Sequence, residues 1–229
     1  MKIIKPSFRL SNPYQDRLTP EDGLKMLRFI ELQARISHRS EDKQTGDTWK
    51  KFIEAVVIKH GDWSVTEHCS ITATIRTDRG VTHELVRHRL FSFTQESTRF
   101  VRYKAADAPV DFNAGMEFTY PAEAPDGCFA NWDLAMSVCE NTYRDLLKAG
   151  WRPQEARSVL PNALAATITV TGNLRNWRHF FLMRVSKETH PDFKRITIPM
   201  LAEFQRIVPL LYDDIVPENR QVDNLRLAR

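Results

Sequence analysis

The chain has 229 residues, 42% of them hydrophobic and 27% charged, enough apolar material to bury a core as one compact domain, residues 1–229. No run of about 18 apolar residues offers a membrane span, and the lysine-bearing first ten residues contain no continuous apolar stretch, so a soluble, non-secreted, cytoplasmic protein is expected. Lys+Arg at 33 against Asp+Glu at 29 gives a formal charge of +4, a mild excess that suits an anionic ligand but is too small to diagnose nucleic acid.

Thr19-Pro20-Glu21-Asp22 supplies a capping hydroxyl, a proline fit for the first helical position and two acids for the positive end of a helix dipole, which predicts a helix over about 20–37. Residues 48–60 place Phe52, Ala55 and Val56 at helical spacing until Gly61 stops them. From Ser70 to Arg76 the chain alternates strictly, with Ile71, Ala73 and Ile75 on one face, and so reads as a half-buried strand. Residues 105–127 form a Pro-, Gly- and Asp-rich excursion around a short strand candidate at 116–120, and a helix follows over 131–149. Pro153 opens a short helical pattern that Pro161 ends. A second alternation at 166–171 is broken by Gly172, and Leu174, Trp177, Phe181, Leu182 and Val185 then make an apolar helical stripe. Residues 193–212 are a further helix candidate, and about 217–229 form a polar tail. The class is α+β with helices dominating.

Charge is concentrated in one place. Between Arg76 and Lys104 lie Arg79, Arg87, Arg89, Arg99 and Arg102, against only Asp78, Glu84 and Glu96. Arginine grips phosphate with a planar fork, and serine hydroxyls and turn amides add donors without bulk, so a segment running Arg87-His88-Arg89 and on to Ser97 and Arg99 suits a pyrophosphate or nucleotide monophosphate. The alternative is a solvated basic surface anchored by Phe91, Phe93 and Phe100.

Arg87-His88-Arg89, seven residues, then Ser97 resembles the R-H-R-x7-S signature of the flavin-dependent thymidylate synthases, and Arg99 fits as well. The likeness continues in Lys59-His60-Gly61 with Glu67-His68, in the segment from Ala156 and Arg157 to Pro161, and in Asn173-Leu174-Arg175 with Arg184, so that it spans residues 34–195. It implies a single helix-rich α+β domain with a central, mostly antiparallel sheet. It also implies an enzyme that methylates dUMP using FAD, NADPH or NADH, and methylenetetrahydrofolate, assembled as a homotetramer, with no nucleic acid or membrane partner.

Carried over by position, the resemblance implies that Ser64, Arg87, His88, Arg89, Gln95, Asn173, Arg175 and His179 meet the flavin. It places Glu84, Arg87, Gln95, Ser97, Thr98, Arg99, Arg157 and Arg184 on dUMP, with Ser97, Arg99 and Arg157 near the phosphate. Arg184 would be catalytic, because a permanently charged guanidinium beside the ring imide stabilises an anionic, electron-rich uracil. On a helix Arg175 and His179, four apart, share one face, while Asn173 and Arg184, eleven apart, share another. Taken singly, Arg175 and Arg178 would be solvated charges and His179 a packed histidine. The sequence departs from the family pattern at Glu84, where a glutamine is usual, at Gln95, where an acid is usual, at Asp62 and at His190-Pro191-Asp192.

His83 and His88 are five apart, roughly 140° around a helix, so they do not make a zinc pair and no metal is expected. Cys69, Cys128 and Cys139 form no C-x-x-C pair, and Cys69 at a strand start reads as a buried structural thiol, so no cysteine nucleophile is assigned. Two rivals remain: a nucleic-acid module stacking bases on Phe91, Phe93 and Phe100, which would be colourless and strongly salt-dependent, and a flavin reductase indifferent to dUMP and folate.

Overall fold

The computed structural model describes residues 1–103, 116–125 and 127–218. Lys104, most of the 105–127 excursion and nearly all of the polar tail lie outside them. The elements in chain order are β1 (Lys2–Ile3), β2 (Ser7–Ser11), α1 (Pro20–Ile36), α2 (Trp49–Phe52), β3 (Ser70–Asp78), α3 (Arg79–Leu85), β4 (Ser92–Gln95), β5 (Glu117–Phe118), α4 (Phe129–Lys148), α5 (Pro153–Ala156), β6 (Ala165–Asn173), α6 (Leu174–Arg184) and α7 (Pro191–Ile207). A four-stranded antiparallel sheet has the order β2-β3-β6-β4, and β1 pairs with β5 in parallel, Lys2 opposite Glu117 and Ile3 opposite Phe118. This is the expected α+β class.

The residues group into two compact units. The helical unit comprises Phe8–Thr74, His88–Ser92 and Val170–Arg229; the second comprises Met1–Ser7, Ile75–Arg87 and Phe93–Thr169. Strands β3 and β6 contribute residues to both.

In the helical unit, α1 starts where the sequence predicts, because Thr19 and Asp22 form a reciprocal capping box with Pro20 in the first turn. The second predicted helix begins as α2 but continues as a π-helical stretch, Ile53–Lys59, closed by Gly61 at a φ of 81°. The wider turn changes which residues face inward: Ile53 and Val57 are buried, whereas Ala55 is exposed. Along α6, Leu174, Trp177, Phe181 and Val185 are buried as expected, but Phe180 joins them and Leu182 faces out. Helix α7 runs from Pro191 to Ile207, earlier and shorter than predicted, and accommodates Pro199 within it. Trp177, Phe180, Phe181, Phe204 and Tyr212 pack mostly edge to face, with Trp177 over Phe181 as the stacked pair, and form the core of the unit.

Strand β6 does not stop at Gly172. It runs to Asn173, and a Cβ at Gly172 would lie 2.4 Å from the Phe91 ring. Glycine stands there to admit that ring.

In the second unit, Tyr103, Met116, Phe118, Met136, Tyr143, Ala156 and Leu164 make a separate core. Asp78 ends β3 and caps α3 in one step, accepting a hydrogen bond from the Val81 amide at 2.8 Å. No helix among the described residues is long and apolar enough to cross a membrane.

Candidate active site

The segment after α3 is a chain of turns. Arg87 follows α3 with its amide donating to the Glu84 carbonyl at 3.2 Å, and Phe91 donates likewise to His88. Arg87 and Arg89 are exposed, and among the described residues their side chains make no hydrogen bond or ion pair. Two uncommitted guanidiniums flanking one histidine leave cationic donors for a ligand.

In the second unit four of the residues expected at the nucleotide, Ser97, Thr98, Arg99 and Arg157, meet at the turn at 97–99. Ser97 Oγ accepts from the Arg99 amide at 3.2 Å, and Arg157, on the short helical turn after α5, reaches Thr98 Oγ1 at 3.4 Å. Arg99 Nε donates to Gln154 Oε1 at 3.2 Å, and its guanidinium lies 5.2 Å from the Phe100 ring centroid. Neither Arg99 nor Arg157 is paired with a carboxylate among the described residues. Gln95 is half-buried and donates to Thr82 Oγ1 at 2.9 Å, which fixes the amide orientation. Glu84 occupies the last turn of α3.

Not all of the basic stretch is available to an anion. Arg76 bridges Glu96 at 2.6 Å and Glu117 at 2.9 Å, with a further bond to Thr167 Oγ1 at 3.0 Å. Burial opposes charge on Glu117, but Lys2 and Arg76 hold its carboxyl below the usual range. Tyr103 donates to Glu96 at 2.8 Å. Arg76, the first cation of the basic stretch, is thus neutralised internally.

In the helical unit, His88 and Arg184 are brought together from 96 residues apart: Arg184 Nε donates to His88 Nε2 at 2.8 Å. Since Nε2 accepts, the ring's own proton is on Nδ1 and the imidazole is neutral. Burial, followed by the charges of Arg184 and His179, pushes His88 down to about 4. The imidazole edge meets Phe180 at 4.9 Å, and the Arg184 guanidinium carbon lies 4.9 Å over the Phe193 ring. Thr197 Oγ1 donates to the Arg184 carbonyl at 2.8 Å, pinning its backbone as well.

Four flavin-set residues lie elsewhere in this unit. Asn173 is the cap of α6, not a residue within it: its Oδ1 accepts from the Asn176 amide at 2.8 Å, so its NH2 is the group able to face outward. Ser64 sits exposed on the 3-10 turn Trp63–His68; Glu67 of that turn pairs with Arg175 at 2.6 Å, which draws Ser64 and Arg175 into one neighbourhood. His179 is exposed, not packed. Arg178, a solvated charge on the single-residue reading, instead pairs with Asp214 and lies 4.3 Å over the Trp63 ring. Thr82, Gln154, Phe193 and Thr197 are the supporting residues that the sequence did not single out.

Cys69 is buried, its thiol 3.7 Å from the Met26 carbonyl, and burial pushes it up to about 11. It stays a thiol and is the structural residue expected, not a nucleophile.

The family described as thymidylate synthase complementing protein matches residues 24–210. Similar curated proteins include the flavin-dependent thymidylate synthase of Mycobacterium tuberculosis, 36% identical over 226 residues and covering 93% of this chain and 87% of the relative. That of Mycobacteroides abscessus is 38% identical over 227 residues at the same coverage. Among solved structures, a UMP/dUMP methylase from Streptomyces cacaoi bound with 5-Br dUMP superposes with a TM-score of 0.71 at 21% identity, covering 93% of this chain and 95% of that one. Thymidylate synthase X from Helicobacter pylori with FAD and dUMP gives 0.66 at 17% identity, covering 92% and 98%. At these identities the two structures attest the fold.

Proposed function

The chain belongs to the flavin-dependent thymidylate synthase family, and from that premise we propose that it methylates dUMP to dTMP, with methylenetetrahydrofolate as carbon donor, NADPH or NADH as reductant and FAD as the bound redox group. The observation that carries the reading onto this chain's own residues is the turn at 97–99. The Arg157 guanidinium reaches the Thr98 hydroxyl there, Ser97 Oγ accepts from the Arg99 amide, the Arg99 guanidinium is bonded only to the neutral Gln154, and no carboxylate among the described residues takes either charge. Such a donor set matches a phosphate monoester.

The chemistry of the remaining donors fits FAD. Arg87 and Arg89 offer uncommitted cations for a pyrophosphate, and Ser64, Asn173, Arg175, His179 and Gln95 offer hydroxyl, amide and imidazole partners, with His88 beside them in sequence. When bound, FAD supplies the two-electron chemistry that accepts reducing equivalents from the nicotinamide and passes them on. The chain's part is to bind and orient. Ser97, Thr98, Arg99 and Arg157 hold the dUMP phosphate, while Glu84, Arg87 and Gln95 position the nucleoside. The family pattern assigns Arg184 the catalytic role: a fixed positive charge at the uracil imide would favour the deprotonated, electron-rich ring needed for attack on an electrophilic carbon.

The match at residues 24–210, which takes in segments of both units, supports treating the chain as one functional domain. The family resemblance supports a cytoplasmic homotetramer. The test is spectroscopic: purified protein is saturated with FAD, desalted and titrated anaerobically with NADPH, with and without dUMP. Retained flavin whose bleaching depends on dUMP supports the proposal, and folded protein that retains no FAD overturns it.

A further inference from the structure

A glutamine differs from a carboxylate in having two unlike ends, one that accepts hydrogen bonds and one that donates them. Where an acid is usual in the family this chain carries Gln95, so something must decide which end a ligand meets. We propose that Thr82 decides it: Thr82 is a positioning residue that turns the Gln95 amide so that its carbonyl oxygen accepts the sugar 3′-hydroxyl of dUMP. The role rests on dUMP being the nucleotide bound, as proposed above, and goes beyond the family resemblance, which puts Gln95 at the ligands without saying which of its groups they meet.

Three observations carry it, all within the second unit. Thr82 is fully buried, and its hydroxyl donates to the Arg79 carbonyl at 3.0 Å. A hydroxyl has one proton, so only lone pairs remain on Oγ1, and its 2.9 Å contact with Gln95 is made by the amide NH2 donating. The direction is thus set by a backbone carbonyl, which has no proton to offer in exchange. Gln95 itself is half-buried, and its Oε1 has no donor among the described residues, which leaves an unsatisfied acceptor on a fixed side chain. Finally, Gln95 ends β4, and Ser97 at the phosphate turn follows two residues later, a span of at most about 7 Å of extended chain. Of the two donors that dUMP offers, the sugar hydroxyl and the uracil imide, the hydroxyl is the one nearer the phosphate.

The experiment compares dUMP with its 3′-deoxy analogue, 2′,3′-dideoxyuridine 5′-monophosphate, by calorimetric titration of the FAD-supplied protein without folate or reductant. Each ratio of affinities is taken within a single preparation, so a difference in flavin content between variants does not enter it. Wild type should prefer dUMP by about tenfold or more, the scale of one hydrogen bond to a held acceptor, and Gln95→Leu should abolish the preference. Thr82→Val, which keeps the shape of the side chain, and Thr82→Ala should each cut it by about two- to tenfold, the cost of immobilising one mobile side chain on binding, while affinity for the analogue changes little. Thr82→Ser should retain the preference, and Thr82→Val should add nothing in the Gln95→Leu background. A structural role alone for Thr82 would weaken both nucleotides alike, so an unchanged ratio in Thr82→Val and Thr82→Ala, with the preference lost in Gln95→Leu, overturns the positioning role and leaves the sugar contact standing. A wild type without the preference, or a preference that survives Gln95→Leu, overturns the contact and the role of Thr82 with it. Folded wild type that binds neither nucleotide removes the dUMP reading itself.

Discussion

Replacing Gly172 with alanine tests the packing that presents His88. The added Cβ would lie 2.4 Å from both Cδ1 and Cε1 of Phe91, inside any permissible contact distance. Phe91 cannot simply retreat, because its ring is packed edge-on to Trp177 at 4.7 Å and to Phe180 at 6.0 Å, and its amide is bonded to the His88 carbonyl at 3.2 Å. Two effects oppose each other: alanine lowers the entropy of the unfolded chain, a gain of about 0.4–1 kcal/mol, while overpacking costs roughly 1–3 kcal/mol. The steric cost wins, for a net loss of about 1–2 kcal/mol, or roughly 2–8 °C in Tm for a chain of this size. Urea and thermal unfolding of the apoprotein should show it. The same substitution made in a Phe91→Ala background should cost almost nothing, since the ring it strikes is gone. Wild-type stability in the single variant, or an undiminished cost in the double variant, would refute the packing argument.

Three further outcomes follow from the site. Arg184→Ala should lower kcat for dTMP formation by about 100- to 1000-fold, the scale of losing one preorganised charge stabiliser, while FAD binding measured by absorbance is retained. Arg157→Ala should act mainly on dUMP binding, raising KM roughly 10- to 100-fold because a charge-assisted phosphate contact contributes about 1.5–3 kcal/mol, with a smaller change in kcat. The third concerns pH: His88 is pushed from 6.5 down to about 4, so the unfolded chain takes up a proton there that the folded protein refuses. Its contribution to stability is therefore fully present above pH 6.5, is lost progressively between 6.5 and 4, and is gone below that; after discounting for partial exposure the loss is about 1–3 kcal/mol. Urea midpoints across that window should fall with pH in wild type and fall less in His88→Phe.

Local signals in the sequence were reliable where the structure is local. The Thr19–Asp22 cap and the alternation through Ile71, Ala73 and Ile75 are short-range physics, and both elements appear as predicted. Glycine at 172 looked like a break because periodicity cannot see a ring from residue 91 lying against the strand. After Phe52 a π-helical turn departs from the 3.6-residue repeat, so Ile53 and Val57 face inward and Ala55 does not. Pairing across long sequence distances is invisible to the sequence: Lys2 and Ile3 find Glu117 and Phe118, and Arg76 finds Glu96 and Glu117, so one cation of the basic stretch is internally paired. Spacing named Arg184 and His88 separately through the family pattern, but only the fold shows that they touch.

The most direct test of the central claim is conversion of dUMP by the purified protein supplied with FAD, methylenetetrahydrofolate and NADPH, with each component omitted in turn. The account predicts dTMP formed in step with NADPH oxidation and lost when FAD or the folate is left out. Oxidation of NADPH that proceeds without dTMP and without regard to dUMP would contradict it and leave a flavin reductase in its place.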